Sequence, residues 1–359
     1  MPRFPRPLLV VLLATFFPPS LFAATTTYPS QLEQVWVVTT EWPWLRTPAV
    51  LGSTLYLTTV HGKLSALDLQ TGRIVDDASP VERGVYEEPA IISGSMYISG
   101  GNAFVGSFHL PKLLPEWYAY LFPRDSVDCC GMHMMYGLTP PAIDGTAIYV
   151  ASEDGYLYRI GRRSGRVLWR KKLGGVSFGR PLVHRGVVFT AGADSCLTAL
   201  NVHDGRLRWK RSLGEAVDFT SPEFLGNDLI IAGRSGTVFR IGSSSGILRW
   251  SSRVGQCFQG TVAVGDSLIC AADRSGLFAL SLDGRLLWSR PFPGDSPTIR
   301  KGRVYYHSRT GQVFVFRGKT GEVVSTCSVG RPGYFARPVV AREYFLVSGY
   351  GKLYCFKDP

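Results

Sequence analysis

The sequence lacks a hydrophobic run that could cross a membrane as a helix. Its longest apolar stretch, residues 8–17, is well short of the roughly 20 residues that a bilayer span requires. Charged residues make up only 18% of the chain and hydrophobic residues 45%, a balance that excludes an intrinsically disordered protein. There is no His-Glu-x-x-His motif and no glycine-rich phosphate-binding loop, so the sequence carries no signature of a zinc protease or a P-loop enzyme. What remains is a globular chain with ample material for a core.

The first 24 residues have the pattern of a secretory signal peptide. Arg3 and Arg6 precede the apolar stretch, prolines interrupt it, and small residues follow at Ala23 and Ala24. A positive start, a short apolar segment and small residues at a cleavage site form the order that export requires. We therefore predict a signal peptide over residues 1–24 and a periplasmic or secreted mature protein. No cysteine follows the apolar stretch closely, so a bacterial lipoprotein anchor is not predicted.

The rest of the chain contains an internal repeat of about 40 residues. Each copy begins with a short apolar segment, continues through two segments separated by glycine turns, and ends in a glycine-led segment that often carries tryptophan. The copies begin at Pro48, Pro89, Pro141, Pro181, Pro222, Thr261, Pro297 and Pro338. Short segments that alternate apolar and polar residues between turn residues are typical of β-hairpins.

Eight copies of a four-stranded unit predict an all-β fold, a single eight-bladed β-propeller. One meander cannot bury both of its faces, whereas blades arranged around an axis cover each other. The last copy has only three strands, and residues 34–38 near the N-terminus offer a fourth strand. We expect this strand to complete the last blade and close the ring, which removes an exposed sheet edge. The propeller domain would then span residues 25–359.

A motif recurs at the turn between the third and fourth strands. It is Ala66-Leu-Asp-Leu-Gln-Thr-Gly-Arg73 in the first copy, with variants at residues 199–209 and 240–250. The motif resembles the PQQ-like repeat of the quinoprotein alcohol dehydrogenase-like propellers, and this resemblance implies their fold. Glycine suits the turn because it adopts positive φ easily, and an indole ring can anchor one blade on another. The predicted blade anchors are Trp36, Trp169, Trp209, Trp250 and Trp288.

In size and simplicity the chain is similar to the BamB-type propellers of the bacterial outer-membrane β-barrel assembly machinery. That resemblance implies a scaffold that binds protein partners in the cell envelope.

The longest interval between copies lies between Pro89 and Pro141 and predicts a loop inserted at about residues 110–138. Long loops on a rigid scaffold often bind partners. Aromatic residues in this loop would form an interaction hot spot if they were exposed. The candidates are Trp117, Tyr118, Tyr120 and Phe122. An aromatic plug packed over the propeller face is the alternative.

The same loop holds a cluster of sulfur and imidazole side chains. Its members are Cys129, Cys130, Met132, His133, Met134 and Met135. Adjacent cysteines can form a vicinal disulfide, and a similar pair lies beside the cofactor in PQQ-dependent alcohol dehydrogenases of the resembled family. Soft ligands of this kind also suit Cu(I). The third alternative is that these cysteines and methionines simply pack or that the cysteines bond elsewhere.

The chain is basic, with 39 Lys and Arg against 27 Asp and Glu. The excess is concentrated at residues 162–172 and 206–211, in the outer strands of the third and fourth blades. In an exported protein such a surface suits anionic lipid, acidic polysaccharide or an acidic protein rather than nucleic acid. A solvated outer strand is the alternative.

Three functions are compatible with the sequence. We predict a protein-binding scaffold that is not an enzyme and has no cofactor, with a role in envelope or outer-membrane assembly implied by the resemblance. The first alternative is a PQQ-dependent oxidoreductase, implied by the repeat and by Cys129 and Cys130. The second is a copper- or thiol-handling protein that uses residues 129–135.

Overall fold

The computed structural model describes residues 30–40, 46–59, 62–79, 87–121, 137–217, 219–258, 260–330, 336–349 and 351–359. Within these ranges the backbone forms thirty-two β-strands and a 3₁₀ turn at Gly101–Ala103. The strands form eight antiparallel sheets of four strands each, which confirms the predicted all-β, eight-bladed propeller. No helix in the described ranges has the length and apolar character needed to cross a membrane.

The first four blades follow one another along the chain, each from its innermost to its outermost strand. Blade one comprises β2 (Ala49–Leu51), β3 (Thr54–Thr58), β4 (Leu64–Asp68) and β5 (Ile74–Ala78). Blade two comprises β6 (Ala90–Ile92), β7 (Ser95–Gly100), β8 (Phe104–His109) and β9 (Leu114–Tyr120). Blade three comprises β10 (Ala142–Ile143), β11 (Ala147–Ala151), β12 (Tyr156–Gly161) and β13 (Val167–Lys172). Blade four comprises β14 (Leu182–His184), β15 (Val187–Ala191), β16 (Cys196–Asn201) and β17 (Leu207–Ser212).

The next three blades repeat this order. Blade five comprises β18 (Glu223–Leu225), β19 (Asp228–Ala232), β20 (Thr237–Gly242) and β21 (Leu248–Arg253). Blade six comprises β22 (Ala263–Val264), β23 (Ile269–Ala272), β24 (Leu277–Leu280) and β25 (Leu286–Arg290). Blade seven comprises β26 (Thr298–Arg300), β27 (Arg303–His307), β28 (Gln312–Arg317) and β29 (Val323–Ser328).

Blade eight joins the two ends of the chain. It comprises β30 (Val339–Ala341), β31 (Tyr344–Gly349), β32 (Lys352–Lys357) and, as its outermost strand, β1 (Gln34–Thr39). Strand β1 runs antiparallel to β32, with Trp36 opposite Cys355. The predicted closure of the ring by an N-terminal strand is therefore confirmed. Just before β1, Ser30 Oγ lies 2.6 Å from Ser325 Oγ, so the same segment also contacts the outer strand of blade seven.

The apolar core is divided among the interfaces between blades. Eight clusters of buried side chains are present in the described ranges, one between each pair of neighbouring blades. In one of them Tyr149 of blade three packs with Val188 of blade four. Because each blade buries its faces only against its neighbours, the ring must close for every blade to be covered.

The outermost strand of each blade carries a β-bulge against the third strand. In blade three, Trp169 pairs with Arg159 and Val167 with Ile160, which leaves Leu168 as the extra residue. A bulge changes the direction of the side chains that follow it. Leu168 is exposed, whereas Trp169 packs against the next blade.

Six tryptophans connect neighbouring blades in the same way. Each indole N–H donates to a carbonyl in the third-to-fourth-strand turn of the next blade, and the ring lies against the glycine of that turn. The hydrogen bonds run from Trp36 to Leu69, Trp117 to Arg162, Trp169 to Val202, Trp209 to Ser243, Trp250 to Leu282 and Trp288 to Gly318, over 2.7–3.2 Å. The glycines are Gly72, Gly165, Gly205, Gly246, Gly284 and Gly321.

Glycine is required in these turns for two separate reasons. Gly246 has a φ of +68°, which strains any residue with a Cβ. A Cβ at this position would also lie 2.8 Å from ring atoms of Trp209, closer than real contacts allow.

The structure corrects the predicted loop of residues 110–138. Its first part contains β9, which pairs with β8 and satisfies its backbone polar groups in the sheet of blade two. Trp117 is therefore the blade anchor of that strand, and its ring packs against Gly165 of blade three. The turn before β9 lacks the glycine-led motif, so the sequence pattern reveals the copy that begins at Pro89 but not its fourth strand. Any insertion begins after residue 121, and residues 122–136 lie outside the described ranges.

Candidate functional site

The innermost strands of the blades surround a central channel. At one end the channel widens into a cavity of about 630 Å³, lined largely by residues that immediately precede the innermost strands. Proline directly precedes most of these strands, and the residue before a proline is restricted to extended conformations. This backbone preference favours placing Glu88, Arg180 and Arg337 at the mouth of the channel. The charged residues of the cavity are Arg46, Glu87, Glu88, Arg180, Glu223, Asp295, Arg309 and Arg337.

Two ion pairs cross this cavity. Arg180 of blade four lies 3.3 Å from the carboxylate of Glu88 of blade two. Arg337 of blade eight lies 3.0 Å from the carboxylate of Glu223 of blade five. Neither pair joins neighbouring blades, so each bridges part of the channel, and a ligand entering along the axis would have to displace it. A third pair, between Arg309 and Asp295, lies within blade seven.

Glu87 is the titratable group of this cavity near neutral pH. Burial raises the pKa of its carboxyl to about 7, although the guanidinium groups of Arg46 and Arg180 act in the opposite direction. The adjacent charge of Glu88 raises the pKa further. Glu87 is therefore partly protonated at neutral pH, and the charge of the cavity depends on pH.

The cavity also holds donors without acceptors. The Nε atoms of Arg46 and Arg180 are buried and have no hydrogen-bond partner among the described residues. Guanidinium groups with free N–H bonds recognise carboxylates well, so an acidic side chain of a partner could bind here.

The described residues do not fit a calcium-bound quinone. Calcium takes six to eight oxygen ligands, commonly with several carboxylates among them. No three His, Cys, Asp or Glu side chains in the described ranges come together in a way that could hold a metal ion. Two carboxylates of the cavity, those of Glu88 and Glu223, are instead paired with arginines across the channel.

Aromatic side chains lie at the edge of the cavity beside these charges. Phe178 of the segment before blade four stacks on Phe219 of the segment before blade five, with ring centroids 4.7 Å apart. The guanidinium of Arg234 lies 5.2 Å from the centre of the Phe219 ring. Phe219 is 39% exposed. The channel mouth thus presents a preorganised aromatic surface next to a ring of charges, which is the composition of an interaction hot spot.

A family profile described as outer membrane protein assembly factor BamB, of the PQQ-like repeat type, matches residues 132–225 and 221–358. These segments cover more than half of the chain. The chain belongs to the BamB family. The predicted PQQ-like repeat propeller is confirmed.

Individual relatives agree with this assignment over shorter stretches. BamB of Burkholderia pseudomallei is 30% identical over 106 residues, which are 28% of this chain and 28% of that protein. The aligned part therefore spans less than a third of that relative's length.

Solved structures of the same fold include both BamB and enzymes. BamB from Moraxella catarrhalis superposes with a TM-score of 0.75 at 16% identity, over 91% of this chain and 98% of that chain. The quinohemoprotein alcohol dehydrogenase from Comamonas testosteroni gives a TM-score of 0.72 at 12% identity, over 91% of this chain and 76% of that chain. At these identities the likeness concerns the fold alone.

The structure separates the residues that the sequence placed in one aromatic hot spot. Trp117 is half-buried at the junction of blades two and three. Tyr120 is also half-buried, with its ring 5.6 Å from that of Phe104. Tyr118 is 44% exposed and contacts the same Phe104 from the outer strand. Phe122 lies outside the described residues, so an exposed cluster of all four is not present in the described part of blade two.

The sulfur-rich cluster of residues 129–135 lies outside the described residues, as does the predicted signal peptide. A Cys129–Cys130 disulfide and a copper site there stay predictions. The other five cysteines are free thiols, and none of them lines the cavity: Cys196, Cys257, Cys270, Cys327 and Cys355.

The cavity residues were missed in the sequence because they are not repeated. A signal was nevertheless present at the position directly before the first proline of each copy. Glu88, Arg180 and Arg337 occupy that position in three copies, where the others have neutral residues. Aligning the copies and searching for charge at this position would have found them.

Proposed function

We propose that this protein is a periplasmic scaffold in outer-membrane protein assembly and that it binds a protein partner at the mouth of the central channel. Membership of the BamB family supports the role in assembly. The stacked pair of Phe178 and Phe219 supports the location, because a rigid, half-exposed aromatic pair needs little ordering when it binds. The processed chain would be the propeller of residues 25–359, after removal of the predicted signal peptide.

The charges of the cavity complement this surface. Arg46 and Arg180 have guanidinium N–H groups that could donate to an acidic side chain of the partner, while the aromatic pair supplies apolar contact. A channel bridged by ion pairs suits surface recognition rather than the turnover of a small substrate. We therefore propose a binding protein without catalytic activity.

Deleting the gene in its host and measuring folded outer-membrane β-barrel proteins tests the role in assembly. We expect lower levels in the deletion strain, restoration by the wild-type chain, and poor restoration by Phe219→Ala. Ile74→Ala is the matched control, because Ile74 is an apolar side chain, 56% exposed, on the outer rim of blade one.

Unchanged barrel proteins in the deletion strain would contradict the assembly role. Equal restoration by Phe219→Ala and Ile74→Ala would contradict only the location of the binding surface. Alcohol oxidation by the purified protein supplied with PQQ and calcium would overturn the non-catalytic assignment.

A further inference from the structure

The outer strands of blades three and four form a continuous concentration of exposed cations that the proposed function does not use. We call this surface the basic rim. Its members lie on β13, on β17 and in the turns that precede these strands. They are Arg163, Arg166, Arg170, Lys171, Lys172, Arg206, Arg208, Lys210 and Arg211, and all are exposed.

The charge of this surface is not a general property of the propeller. Residues 162–172 of blade three contain six Lys or Arg and no Asp or Glu. Residues 202–212 of blade four contain four Lys or Arg and one Asp. The equivalent segment of blade one, residues 69–78, has one Arg and two Asp. In blade seven, residues 318–328 have one Lys and one Glu. Positive charge is therefore collected on one side of the ring.

Protection of sheet edges does not explain this distribution. Charged side chains on an outer strand prevent edge-to-edge pairing with another molecule. All eight blades end in such an edge, so all eight would need the same protection. Strands β1 and β29 are outermost strands with no charged residue, and β5 carries only acidic ones.

Most cations of the basic rim are free to meet a partner. Lys210 pairs with Asp194 at 2.7 Å, Arg206 lies 3.4 Å from Asp204, and the Arg170 guanidinium lies over the ring of Tyr156. The remaining six form no ion pair with any residue that the structure describes. A surface with this many unpaired cations carries a strongly positive potential.

We propose that the basic rim docks this propeller edge-on to the surface of an anionic lipid bilayer. Phosphate headgroups can neutralise many long cationic side chains at once without a matching shape. Leu168 and Leu207, 50% and 55% exposed among the cations, are positioned to reach the headgroup layer.

Edge-on docking leaves the proposed partner site accessible. The basic rim lies on outermost strands, whereas Phe178 and Phe219 lie at the mouth of the channel that the innermost strands surround. Membrane binding and partner binding therefore use different surfaces and can be lost separately.

Co-sedimentation of the full mature chain with lipid vesicles tests the proposal. The vesicles are pure phosphatidylcholine or phosphatidylcholine with phosphatidylglycerol, at low and high salt. The rim variant combines Lys171→Gln, Lys172→Gln, Arg208→Gln and Arg211→Gln. The control variant removes the same number of exposed Lys and Arg from four other blades: Arg73→Gln, Arg274→Gln, Lys319→Gln and Lys352→Gln.

We expect the wild type and the control variant to bind phosphatidylglycerol vesicles in a salt-sensitive manner and not to bind neutral ones. Each cation near an anionic membrane strengthens binding by about fivefold, so the rim variant should bind at least about a hundredfold more weakly. Equal binding by the rim and control variants, or no binding of the wild type to anionic vesicles, would overturn the proposal.

Two further outcomes separate this proposal from others. If the rim variant kept its vesicle binding but lost binding to an acidic protein, the surface would be a protein interface and the lipid proposal would be wrong. Phe219→Ala should leave vesicle binding unchanged, so failure of the channel-mouth site and failure of the basic rim give different results.

Discussion

Six of the eight junctions between blades carry tryptophan in the described structure, and two do not. At the junction of blades one and two, Asp76 replaces tryptophan and accepts the Leu113 N–H at 2.8 Å. At the junction of blades seven and eight, Ser325 replaces it and contacts Ser30. In both exceptions the following blade is irregular, because blade two lacks the glycine-led turn and blade eight receives its last strand from the N-terminus.

The difference shows that the identity of the anchor residue depends on the turn of the blade that it contacts, not on the blade to which it belongs. Tryptophan occurs at the six junctions where the next blade offers a glycine turn. Where that turn is absent, a smaller polar side chain contacts the next blade instead: Asp76 accepts a backbone N–H, and Ser325 contacts the Ser30 hydroxyl. The anchor and the glycine are thus one interaction shared between successive copies of the repeat.

Removing residues 30–40 should have the largest effect on stability. Blade eight would lose its outermost strand, and the junctions with blades one and seven would lose Trp36 and Ser30. We expect the melting temperature, measured by circular dichroism, to fall by more than about 10 °C, since the loss of several junction contacts exceeds a few kcal/mol. The control is Trp36→Ala in the full chain, which should lower the melting temperature less than the deletion does. An unchanged melting temperature after the deletion would contradict closure of the ring by β1.

Trp209→Ala should have the next largest effect. The substitution removes a half-buried ring, its contact with Gly246 and a hydrogen bond to Ser243. We expect the free energy of unfolding to fall by about 2–4 kcal/mol in denaturant titrations. Leu207→Ala, two residues earlier on the same strand but 55% exposed, should cost less than about 1 kcal/mol. Similar losses for both variants would show that the tryptophan is not an anchor.

Gly246→Ala tests the same junction from the other side. Positive φ and the close approach of Trp209 should together lower the free energy of unfolding by about 2–3 kcal/mol. Gly226→Ala is the matched control: Gly226 has a φ of +61° but nothing lies within 4 Å of an added Cβ. It should cost only about 1 kcal/mol. If the two substitutions cost the same, the contact with tryptophan would contribute nothing.

Glu87→Gln should change how the free energy of unfolding depends on pH, whereas substitutions at the apolar junctions should not. The pKa of Glu87 is raised to about 7 from 4.5, so the folded protein holds a proton that the unfolded chain releases within this window. Wild-type stability from this group is present below pH 4.5 and is lost as the pH rises to about 7. The Gln variant should therefore gain stability relative to wild type as the pH rises, by up to about 3 kcal/mol. A difference that does not change with pH would contradict the raised pKa.

Burial lowers the pKa of His307 to about 3, and this group acts in the opposite direction between pH 3 and 6.5. It is present in both proteins of the Glu87 experiment and cancels in their difference.

Asp76→Ala should have the smallest effect of the series. It leaves the Leu113 N–H without its acceptor at a partly buried position. We expect a loss of about 1–2 kcal/mol in the free energy of unfolding, at the lower end for a single hydrogen bond to a charged group because the site is partly solvated. Asp76→Asn keeps an acceptor and should recover most of this loss. A loss as large as that of Trp209→Ala would mean that the exceptional junctions are not weaker than the tryptophan junctions.

Much of the fold could be predicted because each blade carries its own evidence. Proline, glycine and alternating apolar residues mark most strands locally, and the missing fourth strand of the last copy pointed to residues 34–38. Strand β9 was missed because its turn has no glycine motif, so only its pairing with β8 reveals it. The charged cavity was missed because its residues come from different blades, and the position that Glu88, Arg180 and Arg337 share before the first proline of a copy stands out only when the copies are aligned.

Local patterns in the chain are enough to predict the number of blades, the order of their strands and the closure of the ring, since hydrophobic alternation and turn residues act over a few neighbouring positions. Which tryptophan packs against which glycine follows only from the tertiary structure, because the two residues belong to successive blades and are more than 30 residues apart. The tertiary structure also decided that Arg337 meets Glu223 across the channel. Contacts of this kind depend on the curvature of the closed ring, which no local pattern in the chain specifies.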